Sequence, residues 1–207
     1  LLKYASMPLA GVKGRVNQTC SAMARVQLKY YDERTAEIRK AMKYFWSLLK
    51  GVPGIRAHMV DESDGSNMAG WYAPHGLYCP EELEGLSVER FCEAVRAEGF
   101  GTTPGANKAL HLHNIFKDYN GLNYDKPSRV AFTERDVRKL DEGITVSQQV
   151  QVYSIPWFKH YMPEYIEMYA NAFKKVALNY KELLAGDEKR GTESGRWFFY
   201  TDKKEKK

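Results

Sequence analysis

The residues with the most chemical potential are cations near the start of the chain and a pair of histidines past its middle. Lys3, Lys13, Arg15, Arg25 and Lys29 all precede the first acidic side chain, Asp32. Such a stretch suits an anion such as a phosphate. A solvated cationic face is the competing reading. Lys13 and Arg15 stand just before Asn17, whose side-chain oxygen can cap a helix. Helix N-termini carry free amides and a partial positive charge, so cations beside one reinforce an anion site. His111 and His113 alternate in Leu110-His111-Leu112-His113-Asn114. On a strand both would face one side, as metal ligands do, but no third ligand stands at a telling spacing. A hydrogen-bonding pocket wall is the reading this pair supports better, and no metal site is assigned.

Other chemistries are absent from the sequence. There is no phosphate loop, no Gly-x-Gly-x-x-Gly, no nucleophile elbow and no zinc signature. Cys20, Cys79 and Cys92 are odd in number and widely spaced, which argues against a disulfide scaffold. Free thiols in a reducing cytoplasm are the simpler expectation. No apolar run approaches the ~20 residues that span a bilayer, so neither a membrane nor, at a net charge of +5, nucleic acid is expected as partner. The chain opens without a methionine and reaches a long helical pattern within twenty residues. The expectation is that it begins partway through a larger polypeptide.

The elements that must position these residues can be read from periodicity. From Gln18 to Lys50 no Gly or Pro intervenes, and Val26, Tyr30, Ile38, Met42, Phe45, Trp46 and Leu49 form a helical stripe. A break is possible near Asp32. Gly51-Val52-Pro53-Gly54 ends the pattern. Ile55 to Val60 and Gly70 to Tyr78 read as two strands that pair antiparallel, with Pro74 suggesting an edge position or a bulge. Ser87 caps a helix through Phe91 and Val95 that Gly99 stops. Residues 100–130 read as mostly irregular, a helix is expected from Glu134 to Glu142, and Pro163 opens a last long helix. No strand is assigned between the last two helices. The sum is an α+β domain, a small antiparallel sheet covered by helices.

One motif is sharper than the rest. Gly11-Val12-Lys13-Gly14-Arg15 is followed by Ala22, Gln27-Leu28 and Asp32. This resembles the DegT/StrS family of pyridoxal-phosphate sugar aminotransferases. There a Gly-x-Asn-x-Arg turn precedes a helix of small residues ending in Gln-Leu, then Leu-Asp and a run of charge. Lys50 to Ile55, Phe91 to Phe100, Leu110 to Phe116 and Ile155-Pro156-Trp157-Phe158 resemble later family segments in the same order. The resemblance covers residues 10 to 185. Lys13 departs from it by standing where the family usually has Asn.

The resemblance implies the C-terminal small domain of a fold-type-I transferase, divided as a basic lead-in (1–16), the small domain (17–185) and a charged tail (186–207). It implies pyridoxal phosphate as cofactor, held mainly by a preceding large domain. Lys13 and Arg15 would reach the cofactor phosphate of a neighbouring subunit in a homodimer. His111 and His113 would face a keto-sugar or cyclitol, with glutamate or glutamine as amino donor. The lysine that holds the cofactor belongs to the large domain, so no catalytic residue is assigned here and this chain alone is expected to be inactive. A sugar dehydratase of the same family and a non-catalytic α+β binding module remain as alternatives. Tyr72 and Phe116 are read as core rather than pocket wall.

Overall fold

The computed structural model of the chain describes residues 17–106 and 151–187. The chain divides into two compact units. One comprises Arg15–Pro104 and Gln151–Gly191, the other Leu1–Gly14, Gly105–Val150 and Thr192–Lys207. All described helices and strands belong to the first. Lys13, Arg15, His111, His113, Phe116 and the helix expected from Glu134 to Glu142 lie outside the described residues.

Five α-helices and three strands are described: α1 (Gln18–Leu28), α2 (Tyr31–Leu48), β1 (Ile55–Ala57), β2 (His75–Tyr78), α3 (Val88–Ala97), β3 (Val152–Ser154), α4 (Pro163–Leu178) and α5 (Lys181–Leu184). The α+β expectation holds. The sheet is antiparallel in the order β1-β2-β3. Ile55 pairs with Tyr78 and Arg56 with Leu77, while Leu77 pairs on its other side with Val152. The two expected strands do pair, in shorter form than their hydrophobic patterns suggest.

The long first pattern is two helices, with the possible break near Asp32 falling at Lys29 and Tyr30, where Tyr30 leaves helical geometry at φ −115° and ψ 7°. Two details differ from the sequence reading. β2 is the central strand, not an edge, because Pro74 lies just before it and denies the ladder no donor; its carbonyl accepts from Ile155 N at 3.2 Å. β3 has no counterpart in the sequence reading. It is a three-residue strand with every residue buried, too short to show alternation.

The core forms between one face of the sheet and helices α2, α3 and α4. Met42, Phe45, Trp46 and Leu49 of the stripe are buried as expected. Phe173 of α4 meets Phe45, Phe91 and Tyr153 at centroid distances of 5.5–6.0 Å. Such offset and edge-on pairs add to the burial of their area. The upper stripe is not core: Val26 and Tyr30 are exposed, and α1 buries no residue. An isolated helix of eleven residues is marginal in water. Asn17 accepts from Cys20 N at 2.7 Å and caps it as expected.

The local signals at α3 act as read. Ser87 Oγ accepts from Arg90 N at 3.2 Å, and Gly99 stands at φ 92° after the helix. A partner from the far end of the chain joins this cap. Asp187 accepts from Ser87 N at 2.7 Å and from Ser87 Oγ at 2.5 Å. A carboxylate at a helix N-terminus is favoured by the helix dipole, so Asp187 clasps the chain after α5 to the start of α3.

Candidate functional site

The structure frames the two predicted site segments through the residues that adjoin them. Lys13 and Arg15 precede α1, whose first turn carries no acidic side chain and is exposed. The Asn17 side chain occupies one first-turn amide. A helix start without acidic side chains carries an uncompensated partial positive charge.

Thr102, Thr103 and Pro104, which precede the histidine segment in sequence, are tied to β3. Thr102 Oγ1 donates to Ser154 O at 2.7 Å, and Ser154 Oγ accepts from Thr103 N at 2.9 Å. Ser154 N donates to Thr103 O at 2.8 Å, and Pro104 bridges Tyr153. Arg96 of α3 reaches Thr102 O at 2.9 Å. Residues 102–104 are thus held against the outer side of β3 by backbone and hydroxyl bonds. Thr102 and Ser154 are buried, and these bonds satisfy them.

A groove of about 860 Å³ opens between the end of α2 and the edge strand β1. Trp46, Ile55 and Met59 form its apolar part, with Lys43, Lys50 and Arg56 around it. Two of these cations are already paired, Lys43 with Glu62 at 2.5 Å and Arg56 with Glu82. Ser47 also lines the groove, and its hydroxyl donates to Tyr44 O at 2.7 Å.

The titratable groups of the core are structural. Burial pushes the Cys92 thiol up to about 12, and the Thr102 hydroxyl at 3.7 Å only partly opposes this. Burial likewise raises Tyr78, whose hydroxyl donates to Leu86 O at 3.0 Å, and raises Tyr153. A thiol held protonated is a poor nucleophile. No cluster of three or more His, Cys, Asp or Glu among the described residues is arranged to hold a metal.

Tyr72, read as core, is instead 90% exposed. Its neighbour Trp71 turns inward to 2% exposure at a left-handed φ of 54°, which throws Tyr72 outward. Tyr72 stands edge-on to Trp157, at 6.2 Å between centroids and 85° between planes. Both aromatic segments stand out in the sequence, but 85 residues separate them and no spacing rule joins them.

The sequence matches the DegT/DnrJ/EryC1/StrS aminotransferase family over residues 3–138, well over half of the chain. The chain belongs to the DegT/DnrJ/EryC1/StrS aminotransferase family. No curated protein matches it. The family match takes in Lys13, Arg15, His111 and His113, and it stops before β3 and α4. Those later elements are nonetheless integral to the fold of this family member, since β3 completes its sheet and α4 supplies Phe173 to its core. Among the described residues no helix is long and apolar enough to cross a membrane.

Proposed function

We propose that the chain is the C-terminal part of a pyridoxal-phosphate aminotransferase that moves an amino group from glutamate or glutamine to a keto-sugar or cyclitol. The observation that carries this reading is the family match across residues 3–138. In this reading residues 1–16 lead in from a large domain, residues 17–185 are the small domain and residues 186–207 are a tail. The enzyme acts in the cytoplasm as a homodimer.

The donor set before α1 fits the phosphate end of the cofactor. Two cations in sequence precede an exposed helix start that has no acid in its first turn. Arg15 offers a planar fork for phosphate or carboxylate, and Lys13 adds a point charge. When bound, pyridoxal phosphate supplies the electron sink for the exchange of the amino group. The residues of this chain bind and orient: Lys13 and Arg15 hold phosphate in the neighbouring subunit's site, and His111 and His113 hydrogen-bond substrate hydroxyls.

The test uses the homodimeric enzyme that carries the lysine-bearing domain together with these 207 residues. Amino transfer from L-glutamine or L-glutamate to a keto-cyclitol such as scyllo-inosose is the expected activity. Arg15→Ala is expected to weaken cofactor or donor binding by about 1.5–3 kcal/mol, the scale of a hydrogen bond to a charged group. Arg15→Lys recovers part of that loss, and Lys13→Asn is tolerated better than Arg15→Ala. Unchanged affinities and turnover in Arg15→Ala would overturn the assignment of this segment.

A further inference from the structure

The corner made by Tyr72 and Trp157 is built at a cost and held in place. The loop that presents Tyr72 has three non-glycine residues in the left-handed region: Ala69 at φ 43°, Trp71 at φ 54° and Ala73 at φ 47°. Side chains with a Cβ seldom adopt this conformation, and strain of this kind concentrates where a fixed geometry is needed. The loop is fastened from within. Trp71 is buried, its backbone N–H donates to Met68 O at 2.9 Å, and Ala69 N donates to the Asn67 side chain at 2.8 Å.

The opposite wall is fixed independently. The Trp157 indole N–H donates to Gly70 O at 2.8 Å, so one ring is pinned to the loop that carries the other. Glu37 of α2 then accepts from Tyr161 N at 3.2 Å, which anchors the segment four residues further on. Lys159 places its ammonium 4.6 Å from the Trp157 ring centre. The result is a perpendicular pair of aromatic rings with a cation over Trp157, and Tyr72 almost wholly open to solvent. Neither ring contributes much to the core, so packing does not account for the arrangement.

We propose that the Tyr72–Trp157 corner binds a polyhydroxylated ring, a sugar or cyclitol, by stacking the ring's C–H face on the aromatic walls. Such a ligand is apolar on its faces and polar around its rim. Its face matches the Tyr72 ring, and its rim hydroxyls meet donors and acceptors at the Tyr72 hydroxyl and the Lys159 ammonium. Pre-set aromatic rings bind with little loss of side-chain freedom, which favours a strained, fastened loop over a mobile one. The choice of a sugar or cyclitol rests on the proposed function. The existence of a ring-stacking site rests on the geometry alone.

The experiment is saturation-transfer NMR with this chain, using scyllo-inositol as probe and adenosine monophosphate as comparison. Saturation of the inositol C–H protons is expected in the wild type. Tyr72→Ala is expected to weaken inositol binding at least fivefold, about 1 kcal/mol, and Trp157→Phe less. Tyr72 is exposed, so Tyr72→Ala keeps the wild-type melting temperature; Tyr72→Phe, which keeps the stacking face, retains most of the signal. Inositol binding unchanged in Tyr72→Ala overturns the proposal, as does adenosine monophosphate saturating in place of inositol. The transamination assay separates the two readings. Amino transfer without inositol contact at Tyr72 sinks the corner alone. Inositol contact together with no amino transfer by the enzyme that carries the lysine-bearing domain sinks the proposed activity alone.

Discussion

Replacing Gly76 by Ala should destabilise the protein by about 2–3 kcal/mol, near the top of the range for overpacking a core. Gly76 sits mid-strand in β2, paired with Ala57 on one side and Tyr153 on the other. A methyl group there would lie 2.5 Å from the Tyr153 hydroxyl oxygen and 2.8 Å from Trp46 Cη2. Neither ring has room to retreat, since Tyr153 is fully buried and Trp46 nearly so. A shift of Tyr153 would also disturb its packing on Phe173 at 5.5 Å and Phe91 at 5.8 Å. Against this stands the gain of about 0.4–1 kcal/mol that Gly→Ala brings by restricting the unfolded chain. The clash is the larger effect. Urea unfolding followed by far-UV circular dichroism reads the difference as a midpoint lowered by about 1 M, given slopes of ~1–3 kcal/mol/M. Gly101→Ala is the control, because a methyl group there meets nothing within 4 Å. Adding Tyr153→Phe to Gly76→Ala should recover part of the loss, since the hydroxyl it removes has no partner among the described residues. Wild-type stability in Gly76→Ala would refute the close approach of β2 to these two rings.

Stability should fall as pH rises from about 9 towards 12, because the folded protein keeps a proton on Cys92 that the unfolded chain releases near its ordinary value of 9. That contribution is complete below pH 9 and lost by about 12, with a slope of up to ~1.4 kcal/mol per pH unit for the group. Urea melts across this range should show a shallower slope in Cys92→Ala, and an identical slope would refute the burial of the thiol. Asp187→Ala should cost about 1.5–3 kcal/mol through its two charge-assisted bonds to Ser87. Ser87→Ala should be non-additive with it in a double-mutant cycle, and simple additivity would mean the clasp is not formed.

The sequence by itself determined the elements with strong local causes. Asn17 and Ser87 cap because their side chains reach first-turn amides, Gly99 stops α3, and Pro163 opens α4. The stripe through Met42, Phe45, Trp46 and Leu49 fixed which face of α2 is core. The family was legible in the motif from Gly11 to Asp32, in advance of any coordinates. Tertiary structure alone decided the rest, because the forces there act between residues far apart in sequence. β3 is a strand only because β2 offers it a ladder and Thr102 and Thr103 fasten its other side. The outer stripe on α1 resembles the core stripe in sequence, yet nothing among the described residues covers it. Asp187 finds Ser87 across 100 residues. Tyr72 is surface because its neighbour Trp71 claims the interior, and no local rule says which of two adjacent aromatics turns inward. That competition is settled by the space left among Met68 and the helices, a property of the packed molecule rather than of the segment.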